Sequence, residues 1–433
     1  MKVMWWLSEF PPDPGGIGRL AHRIGPSLVE RGVDVHHLVT WFGPSEEQSD
    51  GIPITRIPAR DALLANKPAE LLAVRRSIAD TKRRVAPDLY HFHVCEPSPV
   101  LHIATQSAHP APSVATLHNE VLGRLLDEAT VITTVSTAAA DDLVTWRPDL
   151  ALKVMVVENG VDLGPPPPPL TVEPVIAAVG RLVPQKRIDR LVRALALLVD
   201  RVPGVRLVVA GDGPELPVLE RLADELGVRE RIAFVGHVSA LGVRDVLESC
   251  RVMAAPSEWE GLPFALLEAA ERGRPMVATA VGGSARVVVD GVTGLTLDNS
   301  RIDEEPTLLA DALERVLLEP GLAERLGAAA RERVGSHFSV DRCVDAYEAV
   351  YRRIVCDRPA PRVSVVMPAF NAARFIGEAI ASLHAQTFTD WELIVVDDGS
   401  DDDTVAVATR FGGPKCSVVR QPHRGPGPTR NSG

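Results

Sequence analysis

Cysteine is scarce in this 433-residue chain. The five present, Cys95, Cys250, Cys343, Cys356 and Cys416, are odd in number, scattered and never paired as CxxC. That usage excludes a disulfide framework and a zinc ribbon and suits a reducing compartment. Long hydrophobic runs are lacking too, and none approaches the roughly 20 residues that a membrane-spanning helix needs. The apolar start VMWWL at 3–7 passes straight into Ser8, Glu9 and a Pro/Gly loop, which marks a first strand and not a secretory leader. Positive charge is in deficit: 46 Lys and Arg against 57 Asp and Glu give a net charge of −11. A nucleic-acid partner is therefore not expected, since phosphate backbones are bound by basic surfaces. The absences together predict a cytoplasmic protein.

What is present is globular. Hydrophobic residues make up 45% and charged residues 24%, and the length exceeds one ordinary core, so two or three domains are expected. Short apolar runs alternate with helical patterns, the signature of parallel sheets with crossover helices. In the first third the strand candidates are 3–7, 33–39, 89–92, 114–117, 131–134 and 154–157. Between them lies a long helical pattern over 62–85, rich in Arg75, Arg76, Lys82, Arg83 and Arg84. This helix could dock on anionic lipid at the inner face of a membrane, although Glu70 and Asp80 interrupt its cations and favour a solvated face. Five consecutive prolines at 165–169 form a stiff spacer. Beyond them strands are predicted at 175–179, 205–210, 232–235, 252–255 and 276–279. Tyr347 and Tyr351 share one face of a last helical pattern over 340–355. A second Pro-rich break at 357–361 precedes a third α/β unit with strands at 363–367, 393–396 and 417–420, which reads as half of a domain. The expected divisions are 1–164, 170–337, a closing helix at 338–356, and 361–433.

The stretch SEWEGLPFALLEA at 257–269 carries the densest chemistry. A buried strand ends in a turn at Pro256 and Ser257, and Pro263 introduces a helix, where its missing N–H costs nothing. A helix start offers outward amides and the positive end of a dipole, a ready anion site. Glu260 and Glu268 bracket it at a spacing that can place both carboxylates on one side of one pocket. A phosphate held by amides beside hydroxyl acceptors describes a nucleotide-sugar site, and an amphipathic helix with two solvated glutamates is the plain alternative. Upstream, GRLVPQK at 180–186 puts Arg181 and Lys186 in a loop at the carboxyl end of a parallel strand, where open α/β sheets bind ligands and where both cations could take a diphosphate; taken alone, the segment reads first as a solvated loop. Gly15 and Gly16 open a glycine-rich turn after the first strand. GIGRLA at 16–21 matches the dinucleotide fingerprint, but Thr40, Trp41 and Phe42 stand where a nicotinamide site needs an acid. GDGPE at 211–215 reads as a turn and a helix start. His91 and His93 alternate on one strand, and His118 ends the next. Without further ligands at a recognisable spacing, these point to a polar pocket mouth more than to a metal. No nucleophile elbow is present.

The ordered set PPDPGGIGR, TLHN, VENGVD, GRLVPQK, AGDGPE, FVGHV and PSEWEGLPFALLEA resembles family 4 of the glycosyltransferases, retaining enzymes of GT-B fold, over about residues 1–355. The resemblance implies an α/β architecture of two Rossmann-like domains facing a cleft. It also implies transfer of a sugar from a nucleoside-diphosphate sugar to a glycan or lipid-linked acceptor. The family's E-x7-E motif falls on Glu260 and Glu268. By resemblance, Glu268 holds the ribose hydroxyls and Glu260 those of the transferred sugar. Arg181 and Lys186 neutralise the diphosphate, and amides around Gly261, Leu262, Pro263 and Phe264 bind phosphate and sugar. Gly16 approaches the phosphate, and His118 faces the sugar. No metal or other cofactor is implied. The stretch after His118 is shorter than in many members, and the proline run replaces a less rigid connection. Both bear on acceptor choice and hinge motion.

VSVVMPAFNAARFIGEAIASLHAQTFTDWELIVVDDGS at 363–400 and the closing RNSG resemble the nucleotide-binding half of family 2 glycosyltransferases of GT-A fold. Pro368 and Asn371 lie in that signature, and Asp397 and Asp398 would address base and ribose. The family's metal-binding and catalytic-base motifs come later, so this segment is expected to be inactive as it stands. A GT-B-fold epimerase and a silent sugar-nucleotide binder are the rival readings for the whole.

Overall fold

The computed structural model describes residues 1–8, 10, 16–40, 46–64, 68–94, 100–118, 123–298, 305–355, 363–388, 391–423 and 425. Two compact units emerge, Met1–Tyr351 and Arg352–Gly433. The first holds two sheets. One is built from β1 (Lys2–Leu7), β2 (Asp34–Val39), β3 (Glu46–Ser49), β4 (Ile52–Arg56), β5 (Leu89–Val94), β6 (Ser113–Leu117), β7 (Val131–Thr134) and β8 (Val154–Val156), in the order β3-β4-β2-β1-β5-β6-β7-β8. The other comprises β9 (Val175–Val179), β10 (Arg206–Ala210), β11 (Ile232–Gly236), β12 (Val252–Ala255), β13 (Met276–Thr279) and β14 (Gly294–Leu297), ordered β11-β10-β9-β12-β13-β14. Every pairing is parallel except β3 with β4. Helices cover both faces of such sheets, so their strands bury side chains in both directions. Ile176, Ala177, Ala178, Val252 and Met253 are accordingly all sealed.

Strand order decides where a ligand can enter. In the second sheet the order reverses between β9 and β12, which pair directly. The loops leaving their carboxyl ends therefore diverge and leave a crevice. In the first sheet the reversal falls at β1, flanked by β2 and β5, and β1 leads toward the helix Gly16–Glu30.

Four features differ from the sequence expectations, the first being the sixth strand of the second sheet, β14. The β3–β4 hairpin was not foreseen, because EEQS is polar and Pro53 interrupts the next run; β3 is the edge strand, and Pro53 precedes the stretch of β4 that pairs with β2. The pattern over 62–85 forms two helices, Ala59–Leu64 and Pro68–Val85. Lys82, one of its supposed surface cations, is buried, with Nζ 2.9 Å from His102 Nδ1 and 3.2 Å from the His102 carbonyl. Burial lowers its pKa to about 7. Among the described residues no helix is long and apolar enough to cross a membrane.

The proline run is fastened to the second lobe. Arg274 donates to the Pro168 carbonyl at 2.7 Å, Arg331 to that of Gly164 at 2.6 Å, and Gly164 N–H donates to Glu271 at 2.8 Å. The chain passes between lobes just before this, where Val161 N–H meets the Phe338 carbonyl at 2.8 Å and Val161 bridges Ser339. The helix Val340–Val355 then seals Tyr347 and Tyr351 against Trp5 and His91 of the first sheet.

The second unit is a parallel three-stranded sheet of β15 (Val363–Ala369), β16 (Trp391–Asp397) and β17 (Cys416–Arg420). Its small core gathers Ile376, Ile380, Trp391, Leu393 and Val395.

Candidate active site

The two loops at the second sheet's reversal are stitched together. Gln185 Nε2 donates to the Trp259 carbonyl at 2.7 Å, and Glu258 N–H donates to the Gln185 carbonyl at 2.9 Å. Between them Lys186 Nζ lies 2.5 Å from Glu260 Oε1, which also accepts from Ser257 Oγ at 2.6 Å. A cavity opens here, lined by Gly180, Lys186, Ser257, Glu260, Pro263 and Leu266 among others. The helix Phe264–Glu271 starts at its wall with Pro263 as N-cap. A helix's first amides have no intrahelical acceptor, so those of Phe264 and Ala265 are available to a ligand.

The first lobe closes on this wall. A Cβ on Gly16 would stand 3.9 Å from the Phe264 ring, and one on Gly261 only 2.4 Å from the His118 carbonyl oxygen. Only glycine fits the second position. Asn159 Nδ2 donates to the Leu262 carbonyl at 2.9 Å, and Arg286 pairs with Glu158 at 2.8 Å. Arg23 places its guanidinium over Phe264 and donates to Glu268 Oε1 at 2.7 Å, with Arg19 3.4 Å from Oε2.

Lys186, Glu260, Gly261, Pro263, Phe264, Gly16 and the His118 backbone thus come together. Glu268 does not share the Lys186–Glu260 cavity lining; its carboxylate faces Arg19 and Arg23. Arg181 is exposed on the loop beside Leu182 and has no side-chain partner among the described residues. Leu262 is buried and offers backbone, and Gly15 lies outside the described residues.

Two of the three histidines are buried away from any pocket mouth, and the third, His118, is half-buried. His91 and His93 are both buried, with ring centroids 4.2 Å apart. His91 bonds Tyr351 Oη and Thr116 Oγ1, both at 2.6 Å, and His93 Nδ1 lies 3.0 Å from His118 Nε2. Burial holds the His118 pKa down at about 4 and pushes His91 and His93 well below the usual imidazole range, so all three are neutral. Among the described residues no cluster of three His, Cys, Asp or Glu side chains is arranged to hold a metal ion.

Sequence reasoning missed Arg19, Arg23, Ser257, and Gly282 and Gly283. Any side chain at the last two would strike the 260–261 backbone. The adjacent glycines after β13 were the available signal for that pair.

In the second unit Asp397 and Asp398 are buried at the end of β16. Asp397 accepts from Ser400 N–H at 3.2 Å, and Asp398 from Gln421 Nε2 at 2.7 Å and Gly425 N–H at 2.8 Å. Asn371, in a left-handed conformation with φ 48°, bonds Ser400 and Asp401, and Pro368 sits opposite Val396. The closing RNSG lies outside the described residues.

Two facing doubly wound lobes with cationic and acidic groups at the reversal of the second sheet define a glycosyltransferase of GT-B fold. Solved structures of that fold agree. Sucrose-phosphate synthase from Thermosynechococcus elongatus superposes with a TM-score of 0.71 at 21% identity, covering 82% of this chain and 100% of that one. Anabaena HepE, solved with UDP-glucose, gives 0.66 at 18% identity over 81% and 99%. Among sequences, D-inositol 3-phosphate glycosyltransferase of Mycolicibacterium smegmatis is 33% identical over 81% of this chain and 91% of its own length. The GDP-mannose-dependent alpha-(1-6)-phosphatidylinositol monomannoside mannosyltransferase of the same organism is 28% identical over 77% and 92%. Family profiles described as Glycosyltransferase Family 4 and Glycosyl transferases group 1 match residues 14–164 and 167–333, and Glycosyl transferase family 2 matches 364–433. The chain belongs to glycosyltransferase family 4, carries a family 2 segment after it, and is a hexosyltransferase using a nucleotide-sugar donor.

Proposed function

We propose that the protein transfers a hexose from UDP or GDP, the nucleotides named for its relatives, to a glycan or lipid-linked acceptor with retention of configuration. The observation that carries this reading is the Lys186–Glu260 pair in a cavity at the reversal of the second sheet, beside a helix N-terminus. The diphosphate lies against Lys186, Arg181 and the amides of Phe264 and Ala265. Fixed positive groups there stabilise the charge that grows on the departing diphosphate. Glu260 accepts hydrogen bonds from the sugar's hydroxyls, Glu268 from the ribose, Gly16 lets the backbone approach the phosphate, and His118 meets a sugar hydroxyl. As the C1–O bond to the diphosphate breaks, the acceptor oxygen bonds C1 on the same face and its proton passes to the departing diphosphate oxygen. No protein nucleophile is required.

The family 2 segment contributes nucleotide-binding groups at Asp397 and Asp398 without transfer of its own. The basic helix Pro68–Val85 brings the enzyme to anionic membrane through Arg75, Arg76, Arg83 and Arg84, which stay exposed. Incubation with UDP- and GDP-hexoses, with and without acceptor, tests the activity. Nucleoside diphosphate released in an acceptor-dependent way, with the donor's anomeric configuration in the product by NMR, supports it. Donor converted without acceptor would identify an epimerase, and donor bound but unchanged a silent binder.

A further inference from the structure

We propose that His93 is a positioning residue for the donor site: its Nδ1–H donates to His118 Nε2 and fixes His118 as the Nδ1–H tautomer. His118 then offers a hydrogen-bond donor, not a lone pair, to a hydroxyl of the bound sugar. The inference rests on the sugar-facing role given above to His118, but the tautomer can be tested without it.

The geometry leaves two arrangements for the 3.0 Å contact between His93 Nδ1 and His118 Nε2. Either His93 donates, or His118 does. The difference falls on the far nitrogen of His93. Nε2 is buried and meets no hydrogen-bonding partner; of the rings packed against His93, Trp5 at 4.6 Å has no lone pair to offer, and both nitrogens of His91 at 4.2 Å are engaged by Tyr351 and Thr116. Were His118 the donor, neutral His93 would carry its proton on Nε2, a buried N–H with no acceptor. Orphaned buried N–H groups are rarer in folded proteins than under-used acceptors. A shared extra proton is excluded by the depth of the rings, which keeps both neutral. His93 therefore carries its proton on Nδ1 and gives it to His118 Nε2, leaving the His118 proton on Nδ1. That atom makes no hydrogen bond among the described residues.

The surroundings hold the arrangement rigid. The His93 and His118 rings lie end to end, with centroids 5.3 Å apart and planes only 26° from parallel, as an in-plane hydrogen bond between them requires. His91, fixed by Thr116 and Tyr351, packs against His93 with ring centroids 4.2 Å apart. His118 directly follows β6, its carbonyl oxygen abuts Gly261, and it is the one residue of the three that is partly exposed. Which ring nitrogen carries the proton is set by the bond that the other makes.

The test is two-bond proton–nitrogen NMR on the full-length protein with nitrogen-15-labelled histidine, near neutral pH, with His118 assigned from the spectrum of H118Q. Wild type should show His118 protonated at Nδ1. H93F keeps a ring of similar size and removes the donor, so His118 should revert to the Nε2–H form that an unpartnered neutral imidazole prefers. H93N places an amide N–H near the position of Nδ1 and should restore the wild-type form. An Nε2–H signal in wild type, or an unchanged tautomer in H93F, overturns the proposal; if H93F fails to fold, wild type alone still decides. Release of nucleoside diphosphate from UDP-glucose or GDP-mannose, whichever is turned over, should drop about 10–100-fold in kcat for H93F with donor KM little changed, by analogy with metal-bound histidines that lose their outer hydrogen bond, and H93N should recover most of it. Full activity in H118A would remove the sugar-facing role while leaving the tautomer result intact.

Discussion

Replacing Lys186 with methionine separates what the cation does for the fold from what it does for the reaction. The side chain of Glu260 is only 7% exposed and that of Lys186 20%. In K186M the carboxylate keeps just the hydroxyl of Ser257. Removing one partner of a buried ion pair costs about 3–5 kcal/mol; water reaching the vacated fifth of the site brings this to ~2–3 kcal/mol. At about 2–4 °C per kcal/mol for domains of this size, the melting point should fall by roughly 5–10 °C. Turnover should fall further, by about two to three powers of ten, comparable to losing one donor that stabilises developing charge. The double variant K186M/E260Q should regain most of the stability, because a neutral amide can stay beside Ser257 without a cation, and should regain none of the turnover. Thermal melts and released nucleoside diphosphate measure both. Near-wild-type turnover in K186M, or recovery of turnover in the double variant, would refute the reasoning.

G261A forces a methyl against the His118 carbonyl oxygen; it should lower stability by about 1–3 kcal/mol and lower kcat by parting the lobes, whereas wild-type melting and kcat would mean that the contact is not made in solution. If Glu268 holds the ribose, E268Q should raise donor KM well beyond R23A, which removes only the cross-lobe ion pair; equal effects would confine Glu268 to that pair. R181A should reduce turnover by about two to three powers of ten as well, with little change in melting because its side chain is exposed, and unchanged turnover would take Arg181 out of the site. Lys82 titrates at about 7 when folded against 10.5 unfolded, so between those values the unfolded chain binds the proton more tightly and stability rises with pH, by up to ~1.4 kcal/mol per pH unit. Below about pH 7 the cost of burying the cation is felt in full. Urea denaturation should show wild type gaining on K82M across this window, and a constant gap would contradict it.

Much of the architecture is legible in the chain because parallel strands covered on both faces read as short uninterrupted apolar runs. VIAAV and VMAA, which form β9 and β12, are such runs, and the loops after them are where the sequence placed Lys186 and Glu260. The hairpin at β3 and β4 is illegible for the converse reason: β3 lies at the sheet edge and is polar, with Glu46 and Glu47, and Pro53 breaks the apolar run of β4 although Ile52 and Ile54 are buried. Charge misleads where burial is local. Lys82 reads as one more cation of a basic helix, and nothing in its neighbours announces His102. Long-range pairs are beyond any window; Arg23 lies 245 positions from Glu268, so the clasp between the lobes could not be read from spacing. The proline run suggests a hinge, yet arginines from the second lobe hold its carbonyls, and the lobes exchange chain at Val161 and Ser339 instead.

The most direct test of donor binding at Lys186 and Glu260 is thermal denaturation with UDP-glucose and GDP-mannose, comparing wild type with K186M/E260Q. A ligand at about 100 times its Kd adds ~2.7 kcal/mol of apparent stability. One of the two donors should therefore raise the wild-type melting point by several degrees and leave the folded double variant unmoved. An equal rise in both proteins would place the donor elsewhere and contradict the site.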